Sequence, residues 1–288
     1  MEYLIHIGII ACSYALLALA LNLLIGESGL VSVAQAGFAG VGAYTAAIAM
    51  TALGVNFFFA ALLGALFAAL VAFVVGIIFL PLREAYYVLG TVGVNVIAWS
   101  VFLNWSSVTQ GSLGIAGIPR PELFGFAFST NAAFLLLSLL SVAVVYALSF
   151  FITHSSLGRV LHAIREDESA TAVFGYATTH YKIFIFTLAA AISGFAGALF
   201  ASYISYISPQ SFVVTESIFL LSIVILGGLG SARGALVAAL LLVILPEGLR
   251  FVGFPSEFAG HLRLMCYGLV LIFFMLYRPQ GLFGTFRI

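Results

Sequence analysis

THSSLGRVLHAIREDESATAVFGYATTHYK, Thr153 to Lys182, is the one long polar island in an otherwise apolar chain. It carries Arg159, Arg165, Glu166, Asp167, Glu168 and Lys182, with His154, His162 and His180 among them. Leu157, Val160, Leu161 and Ile164 recur at i, i+3, i+4 and i+7, so a helix over Ser156 to Ile164 gains one apolar face. A short amphipathic helix set between membrane spans has to lie on something. The choices are the bilayer surface or a partner protein.

Around the island the chain is 64% hydrophobic and only 7% charged, against roughly a quarter charged in soluble domains. No Asp, Glu, Lys or Arg occurs from Ser28 to Leu82, Ala85 to Pro119, Leu123 to Gly158 or Ile183 to Thr215. A bilayer crossing needs about 20 apolar residues, so the first run holds two crossings and each of the others one. These observations predict an all-α, polytopic helical membrane protein of about eight to ten transmembrane helices, some of them broken or re-entrant. Expected segments are 3–25, 32–54, 57–80, 86–105, 131–152, 183–207, 215–231, 234–251 and 262–277. The short pair 215–231 and 234–251 flanks Gly227-Gly228-Leu229-Gly230 and is the place for a broken element. No linker divides the chain, so 1–288 reads as a single transmembrane domain.

Met1-Glu2-Tyr3 supplies no basic n-region, so the first apolar run is expected to be a retained span. With the island on the cytoplasmic side, alternation puts Arg83, Arg159, Arg165, Lys182, Arg233, Arg278 and Arg287 inside and Arg120, Arg250 and Arg263 outside. That asymmetry follows the positive-inside rule. Cys12 and Cys266 both fall in apolar runs and read as buried small hydrophobes. The zero formal net charge gives no footing for nucleic acid.

Two glycine clusters, Gly37 to Gly42 and Gly194 to Gly197, allow helix backbones to approach closely. The polar Ser28 to Gln35 stretch beside them admits a second reading, an unwound segment lining a path. Irregular backbone survives at membrane depth only where protein or water covers it. Asn22, Ser32, Gln35, Thr91 and Asn95 are the polar residues best placed in or near spans. They suit a pathway for a zwitterion, which needs no fixed strong charge, and they equally suit hydrogen bonds between helices. No phosphate loop, H-E-x-x-H or C-x-x-C is present, and Glu247 near Arg250 reads as an interfacial ion pair. Nothing in the chain points to catalysis or to a metal.

Five motifs in order resemble the LivM-type permease subunit of bacterial branched-chain amino-acid ABC importers. They are Leu21 to Gly26 with Gly37 to Thr45, Thr109 to Gly111 through Pro121, Gly158-Arg159 through Glu166, Gly227 to Gly230, and Arg278 to Gly284. The resemblance implies a multi-pass subunit of the bacterial cytoplasmic membrane, surrounded by lipid. It implies a second homologous permease, two ATPase subunits that use the ATP, and an extracytoplasmic substrate-binding protein. This chain itself would bind no cofactor. The island 153–182 becomes the coupling loop, docking on the ATPase through Leu157, Val160, Leu161 and Ile164 with Arg159, Arg165 and Glu168 as polar rim. Glu168-Ser169-Ala170 and Gly175 are similar to the EAA–Gly signature of ABC permeases, with Ser in the second place and the glycine one position late. The loops Ser106 to Thr130 and Ser208 to Glu216 would form the platform for the binding protein. Related permeases for urea, short amides or aromatic acids look much alike. A stand-alone secondary transporter is the alternative from another class, and it would need an intramembrane acid or lysine, of which the apolar runs offer none. A non-transporting membrane scaffold is a third.

Overall fold

The structure, a computed structural model, describes residues 2–82, 84–123, 126–128, 130–250, 265, 268, 269, 272 and 280–284. The chain begins with α1 (Glu2–Ser28), α2 (Gln35–Ala52), α3 (Phe57–Phe79) and α4 (Glu84–Asn104). A loop region follows with α5 (Ser106–Thr109), β1 (Ile115–Ala116), β2 (Glu122–Leu123) and β3 (Phe126–Ala127). Then come α6 (Asn131–His154), α7 (Ser156–Glu166), α8 (Glu168–Val173) and α9 (Thr178–Ile204). The last described elements are β4 (Tyr206–Ile207), α10 (Val214–Gly227) and α11 (Ala232–Arg250). Among the described residues, six segments are long and apolar enough to cross a membrane, namely α1, α3, α4, α6, α9 and the run Pro209–Gly227. Five of these match expected spans to within about five residues, and the sixth starts six residues before the expected 215–231; the expected 32–54 and 234–251 appear as α2 and α11, which are not among the six. The ninth expected segment, 262–277, lies outside the described residues apart from Met265, Gly268, Leu269 and Ile272, as do Arg83, Arg263, Arg278, Arg287 and Cys266. The side chains of Glu247 and Arg250 also lie outside them.

The 27 residues of α1 span about 40 Å, and the helix packs against α6, α9, α10 and α11. α2 is covered by α3, α4 and α9, and its small residues let it sit there. A Cβ on Gly42 would run into the Gly194 backbone, and one on Gly197 into the carbonyl of Ala39. Without a hydrophobic drive between helices in lipid, such close contact is what holds them. The large apolar side chains point the other way. Leu62, Leu66, Leu70 and Ile77 of α3 and Leu136, Leu140 and Val144 of α6 are exposed, as lipid-facing residues should be.

Two helices are broken as the glycines suggest. The chain leaves helix at Gly29 and re-enters it only at Gln35, so Gly29–Ala34 is an unwound stretch, mostly buried. The glycine packing and the unwound segment thus coexist. α10 has only 14 helical residues, about 21 Å, too few to cross a hydrocarbon core of about 30 Å. A 3-10 turn, Pro209–Phe212, precedes it and sets Phe212 edge-on against the stacked pair Tyr44 and Phe102, their ring centroids 6.2 Å from its own in each case. The Ser208 to Glu216 loop is therefore partly sunk into the bundle and offers less surface than expected. It is tied to the Ser106 to Thr130 loop by antiparallel pairing of β1 with β4, Ile115 opposite Ile207. The Ser202 hydroxyl adds a bond to the Pro119 carbonyl at 2.8 Å.

The charge pattern sorts by end. Arg120 donates to Asn131, which donates to Glu2, where α1 and α6 begin. Arg165, Lys182 and Arg233 gather at the opposite end of α1, where α7 lies and α11 starts.

Candidate functional site

Polar caps define the island's two helices. The Ser155 hydroxyl accepts from the Gly158 amide at 3.3 Å and starts α7. Asp167 closes α7 and caps α8, accepting from the Ala170 amide at 2.9 Å and the Ser169 hydroxyl at 2.8 Å. Those bonds, the Ala170 amide foremost, hold its carboxyl below the usual carboxylate range.

The helix predicted over Ser156 to Ile164 is present, but its apolar face is spent inside the subunit. Leu161 is 0% exposed and Ile164 3%, as α7 packs against α1, α6 and α9. Leu161 and Ile164, expected to seat in a groove on an ATPase, are packed within the subunit instead. Leu157 and Val160 are half-buried and, with Arg159, line a cavity of about 480 Å³ between α7 and the Tyr176–Tyr181 region. Arg159 and Glu168 face outward, and Glu168 pairs with Lys182 of α9. The apolar residues that do stand free are on α8 and just after it. Val173 is 86% exposed and Phe174 83%. Sequence reasoning missed both, because six residues of helix are too few to show a face.

α7 grips the last turn of α1. Arg165 donates to the Gly26 carbonyl, and its side-chain stem lies on Gly29. His162 Nε2 lies 2.6 Å from Glu27 Oε2, and the Thr153 hydroxyl donates to Glu27 Oε1 at 2.8 Å. Glu27, 2% exposed, is the buried carboxylate that the sequence reading passed over by starting its uncharged run at Ser28. A lone acid closing an apolar run was the available signal. The argument against a secondary transporter from missing acids therefore lapses.

The same end of α1 gathers two of the chain's glycine motifs. Asn22, a pathway candidate, accepts from the Gly230 amide at 3.1 Å and braces the Gly227–Gly230 turn. On the far side of that turn, the amides of Leu282 and Phe283 donate to the carbonyls of Leu226 (2.9 Å) and Gly227 (3.1 Å). Motifs scattered over more than 250 residues thus meet at one end of one helix.

The remaining pathway candidates form a buried polar cluster around the start of α2. Thr91 accepts from the Val33 amide at 3.1 Å, and Ser32 from the Ala34 amide at 3.3 Å. Gln35 accepts from Ser193 at 2.9 Å, and Asn95 donates to Ser217 at 3.4 Å. Ser217 also accepts from the Ala36 amide at 2.9 Å, so the cluster joins α2, α4, α9 and α10. Gln35 Nε2 and Asn95 Oδ1 are left without a hydrogen-bond partner, which leaves work for an ordered water. Below the cluster lies a cavity of about 880 Å³. Its walls are Gly29–Val31 of the unwound segment, Tyr87 and Val88 of α4, and Arg165, Glu166, Glu168 and Lys182 of the island. None of the five pathway candidates lines it.

Residues 3–275 match the family described as the permease component of branched-chain amino acid transport systems. The high-affinity branched-chain amino acid transport system permease protein LivM of Escherichia coli is 35% identical over 98% of this chain and 70% of its own length. LivH of Salmonella typhimurium is 25% identical over 94% of this chain and 91% of its own. BraD of Pseudomonas aeruginosa is 26% identical over 96% and 92%. No solved structure matches. With its unwound segment beside α2 and six membrane-length apolar segments among its described residues, this multi-pass chain belongs to the family of branched-chain amino acid transport permease components.

Proposed function

We propose that this chain is the membrane-spanning permease subunit of an ATP-driven importer for branched-chain or similar amino acids in a bacterial cytoplasmic membrane. It works with a second homologous permease, two ATPase subunits and an extracytoplasmic binding protein. The chain is one transmembrane domain and binds no cofactor; ATP is consumed by its partners. Likeness along nearly the whole chain to LivM, with LivH as a second, more distant relative, supports the paired arrangement.

The observation that carries the docking role is the exposed pair Val173 and Phe174, standing out from the charged island at the arginine-rich end. Two large apolar side chains held in water by a capped helix are the pattern of an interface anchor, and Arg159 with the Glu166–Glu168 acids supplies its rim. Arg165 and Glu168 act from behind, fastening α7 to α1 and α8 to α9. Leu157 and Val160 floor the adjoining groove. The cavity below the unwound segment is the cytoplasmic mouth of the path. Asn22, Ser32, Gln35, Thr91 and Asn95 hold the path's wall in shape.

Reconstitution into liposomes tests this reading. The complete assembly with its binding protein should accumulate leucine, isoleucine or valine only when ATP is supplied, and this chain alone should move nothing. Uptake by the isolated chain driven by a proton or sodium gradient would establish a secondary transporter instead. ATP-driven uptake of urea, amides or aromatic acids alone would move the substrate class and leave the rest.

A further inference from the structure

We propose that the close contact between Glu27 Oε2 and His162 Nε2, 2.6 Å apart, is the joint through which movement of α7 and α8 reaches the unwound segment Gly29–Ala34. The inference rests on the functional reading above, which supplies the partner that moves them.

Glu27 is placed where a carboxylate is least welcome. It is 2% exposed, so its charge is cut off from water. It also sits in the last turn of α1, where the helix carbonyls already concentrate negative potential. Its resident contacts come from outside α1: the Thr153 hydroxyl at the end of α6 and the imidazole of His162 on α7. Three residues along the same face of α7, Arg165 donates to the Gly26 carbonyl and lays its stem on Gly29. At Gly29 φ is +72°, and a Cβ there would stand 2.9 Å from Arg165 Cγ. Two side chains one turn apart thus hold two successive residues of α1.

The consequence is mechanical. If α7 is pushed or drawn by something docked on Val173 and Phe174, it either takes the end of α1 with it or strands a buried carboxylate. The first is far easier. Beyond Gly29 no helical ladder stiffens the chain until Gln35. Val33 is held there by the Thr91 hydroxyl of α4, and its neighbours Gly29 to Val31 form the wall of the cavity. A displacement at the joint therefore appears as a change in the shape of that cavity, while the helices on either side stay whole.

The test uses the complete assembly in liposomes, with substrate taken up per ATP hydrolysed as its readout. Glu27→Leu alone, and Glu27→Leu combined with His162→Leu, each remove the buried carboxylate together with the contact, so neither strands a charge. Both variants are expected to retain the ATPase subunits and the parent's thermal stability. Substrate moved per ATP should fall by about ten-fold, within the usual range for coupling between sites. His162→Gln keeps an N–H donor on α7 and should stay within about two-fold of the parent. Leu variants that keep the parent ratio overturn the inference. So do Leu variants that unfold or shed the ATPases, because the pair is then structural, and so does a Gln variant that fails as badly as Leu. An unmutated assembly without ATP-dependent uptake refutes instead the functional reading beneath it.

Discussion

The two halves of the polar island differ in what they do with their apolar side chains. α7 has a full helical stripe and buries the heart of it, Leu161 and Ile164, against its own subunit. α8 has no stripe at all and leaves Val173 and Phe174 in the open. Periodicity says that a helix face is covered; it does not say by what. In a chain with this many neighbouring helices, the cover for a strong stripe comes first from within. The weakly patterned half is what remains for a partner.

Leu161→Asp should give the largest effect. It places an unpaired charge at a site with no access to water, at a cost of several kcal/mol. The yield of monodisperse protein should collapse in detergent, before any partner is added. Normal yield with loss of the ATPases alone would return α7's apolar face to the docking surface. Leu161→Ala should cost about 2–5 kcal/mol of stability through the cavity it leaves. Thermal unfolding should show the loss, with ATPase retention unchanged in whatever remains folded.

Val173→Asp and Phe174→Asp should behave in the opposite way. Stability should shift by no more than about 0.5 kcal/mol. Retention of the ATPase subunits should weaken by about 10- to 100-fold, the loss of roughly 1.4–2.7 kcal/mol expected of an interface anchor. Normal co-purification of both variants would remove α8 from the interface. Ser155→Ala, which deletes the cap of α7, should cost about 1 kcal/mol, read as faster hydrogen exchange in the first turn of α7.

The smallest effect concerns pH. The folded-state pKa of Asp167 is depressed below 3.8 by the Ala170 amide and Ser169 hydroxyl. Its contribution to α8 is therefore complete above that value and is lost as pH falls through the lower, folded one. Amide exchange of Ala170, corrected for its intrinsic rate, should rise there in the parent and show no such step in Asp167→Asn. A step of equal size in both would assign the change to another group.

How much of this was legible in the sequence follows from which forces act locally. The long uncharged runs determined the spans, because hydrocarbon penalises charge wherever the chain crosses it. Arg159, Arg165, Lys182 and Arg233 falling at one end of the bundle and Arg120 at the other was likewise readable from spacing. The spacing of Leu157 to Ile164 determined α7, and the glycines around Gly37, Gly194 and Gly227 marked where helices touch or break. What covers a face was not legible, since burial of Leu161 depends on α1, α6 and α9 arriving from distant parts of the chain. Nor was Glu27, whose meaning comes from His162, 135 residues away in sequence and in contact only once α1 and α7 are packed. Asn22, Gln35 and Asn95 were visible as polar residues in apolar surroundings. Only the fold could choose between path and brace, because a hydrogen bond is a matter of which atoms come within about 3 Å, and composition holds no distances.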